Sequence, residues 1–151
     1  MTRLARALWL SASFAAGSAA ADPLTIEGAW LRATPPGART AAAYLTIDND
    51  GPEDRLLGGS THAARAVEVH TQTADGGLQR MVHLSELEVP AGAQVRLTPG
   101  GLHLMLVDLA GPLVPGTSVA LTLRFEGAGE LVLDIPVVDA REAPSPASHT
   151  H

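Results

Sequence analysis

The chain has 151 residues with 46% hydrophobic and 17% charged, which allows one packed domain and excludes extended disorder and long solvated helices. A formal charge of −6 excludes a basic nucleic-acid binder, so no nucleic-acid partner is expected. Cysteine is absent, which excludes disulfides, thiolate zinc sites, cysteine nucleophiles, c-type haem, iron–sulfur clusters and blue copper.

Residues 1–21, MTRLARALWLSASFAAGSAAA, have the form of a secretory signal peptide. Arg3 and Arg6 make a positive start, Ala7 to Gly17 is a short apolar stretch, and Ser18 to Ala21 are small residues suited to cleavage after Ala20 or Ala21. That apolar stretch is too short to span a bilayer comfortably, and no later segment could cross one, so no membrane span is expected in the mature chain. Losing 1–21 removes two of the ten arginines and none of the 16 acids, leaving a charge of −8. The expected location is the bacterial periplasm.

After the leader the chain reads as short strands. Leu24–Arg32 alternates and is broken by Thr34-Pro-Pro-Gly37. Ala41–Ile47 follows and closes on Asp48-Asn-Asp-Gly51. Asp54–Ser60 is a short strand without clear alternation. Ala66–Thr71 and Leu78–Leu84 flank Asp75-Gly-Gly77 and form a hairpin. Pro90-Ala-Gly92 and Pro99-Gly-Gly101 bracket a further short strand, and Leu102–Val107 comes next. Val119–Phe125 and Glu130–Val138 are a last pair, turned at Gly127-Ala-Gly129. No helix is evident, and strands this short at this spacing imply an all-β antiparallel Greek-key sandwich over 22–139. The Pro-containing segment 140–151 reads as a flexible tail.

Strand alternation separates two kinds of side chain. Val67 and Val69 take one face, Glu68 and His70 the other. Leu78, Val82 and Leu84 oppose Gln79, Met81 and His83, and Leu102, Leu104 and Leu106 oppose His103 and Met105. With leucine and valine facing the core, His70, Met81, His103 and Met105 fall on outward, solvent-facing surfaces. Met81 and Met105 are the only methionines after the leader, both out of phase with the core, and each lies two residues from a histidine. An exposed thioether has little structural purpose but is a ligand for soft metals.

The spacing His70-x10-Met81-x21-His103-x-Met105 resembles the signature of the periplasmic copper chaperones called PCu(A)C. Ala29–Gly37, Ala42–Ile47 and Pro99–Leu106 resemble the family's segments around it, and the similarity runs from Leu24 to Val138. Thr71, Gln72 and Thr73 stand where many members carry further methionines. The resemblance implies a cupredoxin-like sandwich and a Cu(I) site at His70, Met81, His103 and Met105. It also implies delivery of copper towards the copper-site subunit of cytochrome c oxidase, often alongside a Sco-type thiol protein.

The donor set suits that ion. Cu(I) is soft and tolerates irregular geometry, whereas Zn(II) favours thiolate, carboxylate or more imidazole, and Cu(II) more nitrogen or oxygen. All four donors are neutral and none needs a thiol, which an oxidising compartment would oxidise. His83 reads as a bystander on the same face as Met81, and His62 as a solvated loop residue. Trp30 and Tyr44 read as packing residues. His149 and His151 would make a weak additional Cu(II) site in the tail. No enzyme motif is present, so a non-catalytic, monomeric copper carrier is expected; a copper buffer and a metal-free adhesive module are the alternatives.

Overall fold

The computed structural model describes residues 23–143. The leader at 1–21 lies outside them, as do His149 and His151. Ten strands form one sheet: β1 (Leu24–Arg32), β2 (Thr40–Asn49), β3 (Asp54–Thr61), β4 (Ala64–Asp75), β5 (Leu78–Leu84), β6 (Leu87–Val89), β7 (Gln94–Leu97), β8 (His103–Leu109), β9 (Ser118–Phe125) and β10 (Gly129–Val138). Their order is β5-β4-β8-β2-β1-β10-β9-β3-β6, with β7 paired to β2. An additional β3–β4 pairing joins the strands next to the two ends of this path. It closes β4, β8, β2, β1, β10, β9 and β3 into a cupredoxin-like barrel and leaves β5 outside as an edge strand.

One pair departs from the antiparallel expectation: β1 and β10 run parallel, with Leu31 opposite Val137. The first and last strands of the domain are far apart in sequence, so no hairpin constrains their direction. Closure at β3 depends on Gly59, which faces Val67 of β4 on one side and Leu123 of β9 on the other. A Cβ there would collide with the Thr122 carbonyl.

The barrel interior holds Leu31, Leu45, Ile47, Leu56, Val69, Leu104, Leu106, Leu121, Leu123 and Ile135, all fully buried. Burying each such side chain contributes roughly 1.5–3 kcal/mol before entropy is counted. Leu104 and Val69 lie directly opposite each other on β8 and β4. Packing of these inward residues holds the alternate, outward residues of the same strands in fixed register.

The β4–β5 hairpin turns on Gly76 and Gly77, with φ of 57° and 84°, left-handed values that glycine adopts without strain. Asp75 pairs with Leu78 across that turn, and Val69 pairs with Leu84 at the base. Leu78 and Val82 were expected to face the core, but they are 64% and 41% exposed. The hairpin overhangs the closed barrel, so only its base, at Leu84, packs against the core.

Candidate metal centre

Register on the outward face of β5, β4 and β8 decides which side chains meet. His70 pairs with His103 of β8 on one side and with His83 of β5 on the other. Glu68 pairs with Met105, and Gln72 pairs with Met81. Cross-strand partners share a face, so all these residues project from one surface.

A row of rings follows. Trp30 and Tyr44, paired across β1 and β2, have centroids 4.7 Å apart. Tyr44 lies 6.5 Å from His103, His103 lies 5.9 Å from His70, and His70 lies 5.4 Å from His83. The row crosses β1, β2, β8, β4 and β5 in that order. Trp30 and Tyr44 are buried, as packing residues should be.

Among the three imidazoles exposure falls inward, from His83 to His103. His83 is exposed, the His70 side chain is 15% exposed, and His103 is only 3% exposed. Met81 is 55% exposed on the hairpin and Met105 is half-buried on β8. The expectation that all four candidate donors stand in solvent is therefore corrected for His103, and in part for His70 and Met105. The reason is lateral: Tyr44 and His70 flank the His103 ring, and strand alternation assigns a face without assigning its cover.

His103 and His70 each have one nitrogen committed. His103 Nδ1–H donates to the Gly101 carbonyl at 3.0 Å, and His70 Nε2–H donates to the Glu68 carboxylate at 2.9 Å. These acceptors fix the tautomers, because neither a carbonyl nor a carboxylate can donate back. The remaining nitrogens, His103 Nε2 and His70 Nδ1, are buried lone pairs without a partner. A buried polar atom left unsatisfied costs about 1–3 kcal/mol. Imidazoles whose far nitrogen is held by a carbonyl or carboxylate are arranged as metal ligands are. The hydrogen bond from His70 also holds the Glu68 carboxyl below the usual carboxylate range.

The structure thus sets His103 beside His70, their ring centroids 5.9 Å apart, with Met105 diagonal to His70 at the Glu68 position of the register. Met81 lies diagonally across from His70, at the Gln72 position of the register. Among the described residues no three His, Asp or Glu side chains could hold a metal by themselves. Met105 and Met81 add thioether sulfur to this face, a donor that a soft ion accepts. Strand alternation puts Glu68 on this face, and the Glu-x-His spacing aligns its carboxylate with the His70 ring, a partnership that the metal-ligand pattern alone does not signal. His62, expected in a loop, sits exposed in the turn between β3 and β4.

Residues 24–137 match the family model described as "Putative lipoprotein LpqE-like", and the chain belongs to that family. It is 32% identical over 135 residues to "Putative lipoprotein Lxx21020" of Leifsonia xyli subsp. xyli, covering 88% of this chain and 80% of that one. Both descriptions are of lipoproteins and agree with a periplasmic or secreted location. The 151 residues contain no cysteine, so none of them can carry a thioether-linked lipid. Among solved structures, the copper-bound PCuAC domain from PmoF2 superposes with a TM-score of 0.67 at 30% identity, covering 78% of this chain and 93% of that one. The solution structure of CuI-DR1885 from Deinococcus radiodurans superposes with a TM-score of 0.64 at 33% identity, covering 83% and 84%. The chain is homologous to PCuAC-type copper-chaperone domains and shares their all-β cupredoxin-like fold. Among the described residues no helix is long and apolar enough to cross a membrane.

Proposed function

We propose that this member of the LpqE-like family is a Cu(I) metallochaperone that carries one ion on His70, Met81, His103 and Met105, without catalytic turnover. The observation that carries the reading is the pair of buried, unpartnered imidazole nitrogens, His70 Nδ1 and His103 Nε2, each backed by an oxygen acceptor on the opposite side of its ring. Homology to copper-bound domains supports the choice of metal. Two thioethers with two imidazoles favour Cu(I) over Zn(II) and Cu(II).

In this reading Cu(I) is cargo. His103 and Met105 supply donors from the barrel wall, His70 from the adjacent strand, and Met81 from the exposed edge. Every donor is neutral, so binding leaves the ion's single charge in place, with the Glu68 carboxylate nearby to offset it. An edge that reaches solvent gives an acceptor protein access to the ion, which delivery requires and permanent storage does not. The acceptor in this proposal is the copper site of cytochrome c oxidase, reached directly or together with a Sco-type thiol protein. The domain limits, a leader at 1–21, a copper domain at 22–139 and a tail at 140–151 with a weak Cu(II) site at His149 and His151, belong to the same proposal.

The test is a Cu(I) competition titration of the mature protein against a chelator, beside His103→Ala. One tight equivalent in the parent and its loss in the variant support the assignment; equal affinities contradict it. Transfer of the bound ion to an apo oxidase copper domain then tests delivery.

A further inference from the structure

The chain carries two His/Met pairs at i, i+2 spacing on this face, one on each strand beside β4. His103 and Met105 are the inner pair, on β8. Met81 and His83 are the outer pair, on the edge strand β5. Between them stands His70, with ring centroids 5.4 Å from His83 and 5.9 Å from His103. The outer pair is exposed, His70 is mostly covered, and His103 is buried.

Of the three imidazoles in this row, His83 is the one nearest to solvent, and its ring lies beside that of His70. It makes no side-chain hydrogen bond among the described residues and lies on an overhanging edge that contributes little to the core. His83 and His103 lie on opposite sides of His70, with ring centroids 5.4 and 5.9 Å from it, so the three imidazoles form a row across β5, β4 and β8.

We propose that Met81 and His83 form an entry site for Cu(I), from which the ion passes by ligand exchange onto His70 and then to the buried His103 and Met105. This rests on the copper reading above. His70 Nδ1 replaces His83 in the first step, one donor bond forming as another breaks; His103 Nε2 and Met105 then add to the two-coordinate ion, which keeps Met81 and His70, to complete the four-donor resident set. All donors are neutral and no electron moves, so Cu(I) remains Cu(I). The row of imidazoles across adjacent strands divides one long transfer between solvent and a buried site into short ones. Release to an acceptor follows the same steps in reverse, with His83 the last ligand to let go.

A relay residue and a resident ligand differ in kinetics. Removing a relay raises the barrier equally in both directions, so loading and release slow by the same factor and the equilibrium is kept. Removing a resident ligand speeds release and weakens binding. The experiment is stopped-flow transfer of Cu(I) between the mature protein and a bulky anionic Cu(I) chelator, run in both directions on the parent, His83→Ala, His83→Met and Met105→Ala. For His83→Ala both rates should fall about tenfold or more, which is a barrier increase of roughly 1.4 kcal/mol. The affinity should stay within about twofold of the parent. His83→Met restores a soft donor at the same place and should recover the rates. Unchanged rates in His83→Ala would overturn the relay. So would faster release with matching loss of affinity, which would make His83 a resident ligand. Met105→Ala separates the two readings: if it binds Cu(I) as tightly as the parent, the resident site itself is wrong, whatever His83 does.

Discussion

Glu68 and His70 lie two residues apart on one face of β4, and the Glu68 carboxylate accepts the His70 Nε2–H at 2.9 Å. The bond leaves Nδ1 as the free lone pair and makes the ring a better donor. Glu68→Ala should lower Cu(I) affinity by about 10- to 100-fold, the usual loss when a ligand's supporting partner is removed. Glu68→Gln, which keeps an acceptor but no charge, should fall between that variant and the parent. The side chain is part-exposed, so the fold should persist in both. Chelator competition and a thermal melt on the same samples check this, and unchanged affinity in Glu68→Ala would remove Glu68 from the site.

Met81 and Met105 should separate affinity from stability. Met81 is 55% exposed, so Met81→Ala should change stability by no more than about 0.5 kcal/mol, as surface substitutions do. Met105 is half-buried on β8, and Met105→Ala should cost about 1 kcal/mol, near the average for point changes. Each should weaken Cu(I) binding, and the double variant should lose it while remaining folded. Denaturant melts paired with titrations check both halves.

Asp54 sets an acid limit on the fold that is independent of copper. Burial pushes its pKa up, but the backbone N–H groups of Gly127, Arg55 and Ala128, at 2.7, 2.7 and 2.9 Å, outweigh this and hold it below the usual carboxylate range. A carboxyl whose pKa is lowered by folding stabilises the native state above its unfolded value of about 3.9. That contribution is lost as pH falls through the lower folded value. Asp54→Asn should therefore reduce stability at neutral pH by about 1–3 kcal/mol and flatten the acid limb of the stability curve. Cu(I) affinity at neutral pH should not change. Melts from pH 7 down to about 2, with one titration at pH 7, check it.

Much of this arrangement is legible in the sequence where the determinants are local. The alternation at Val67-Glu-Val-His70 and Leu102–Leu106 assigns faces, and those faces hold because Val69 and Leu104 meet in the core. The Asp75-Gly-Gly77 turn implies the hairpin. Non-local features are not legible. The parallel β1–β10 pairing and the β3–β4 closure join distant segments, and β6, three residues long, is too short to show alternation. The depth of His103 depends on Tyr44 and His70 from two other strands. Leu78 and Val82 carry the pattern of core residues, but nothing local says that their strand overhangs the barrel. That Met81 sits opposite Gln72 while His83 sits opposite His70 follows from hairpin register, which the turn sets.

The donor set is open to direct observation. Copper K-edge X-ray absorption on the mature protein loaded with one equivalent of Cu(I) resolves sulfur from nitrogen neighbours. Binding at His70, Met81, His103 and Met105 predicts two sulfur and two imidazole nitrogen scatterers, with the sulfur contribution reduced by half in Met105→Ala. A spectrum fitted by nitrogen and oxygen alone, or one unaltered in Met105→Ala, would contradict the assignment.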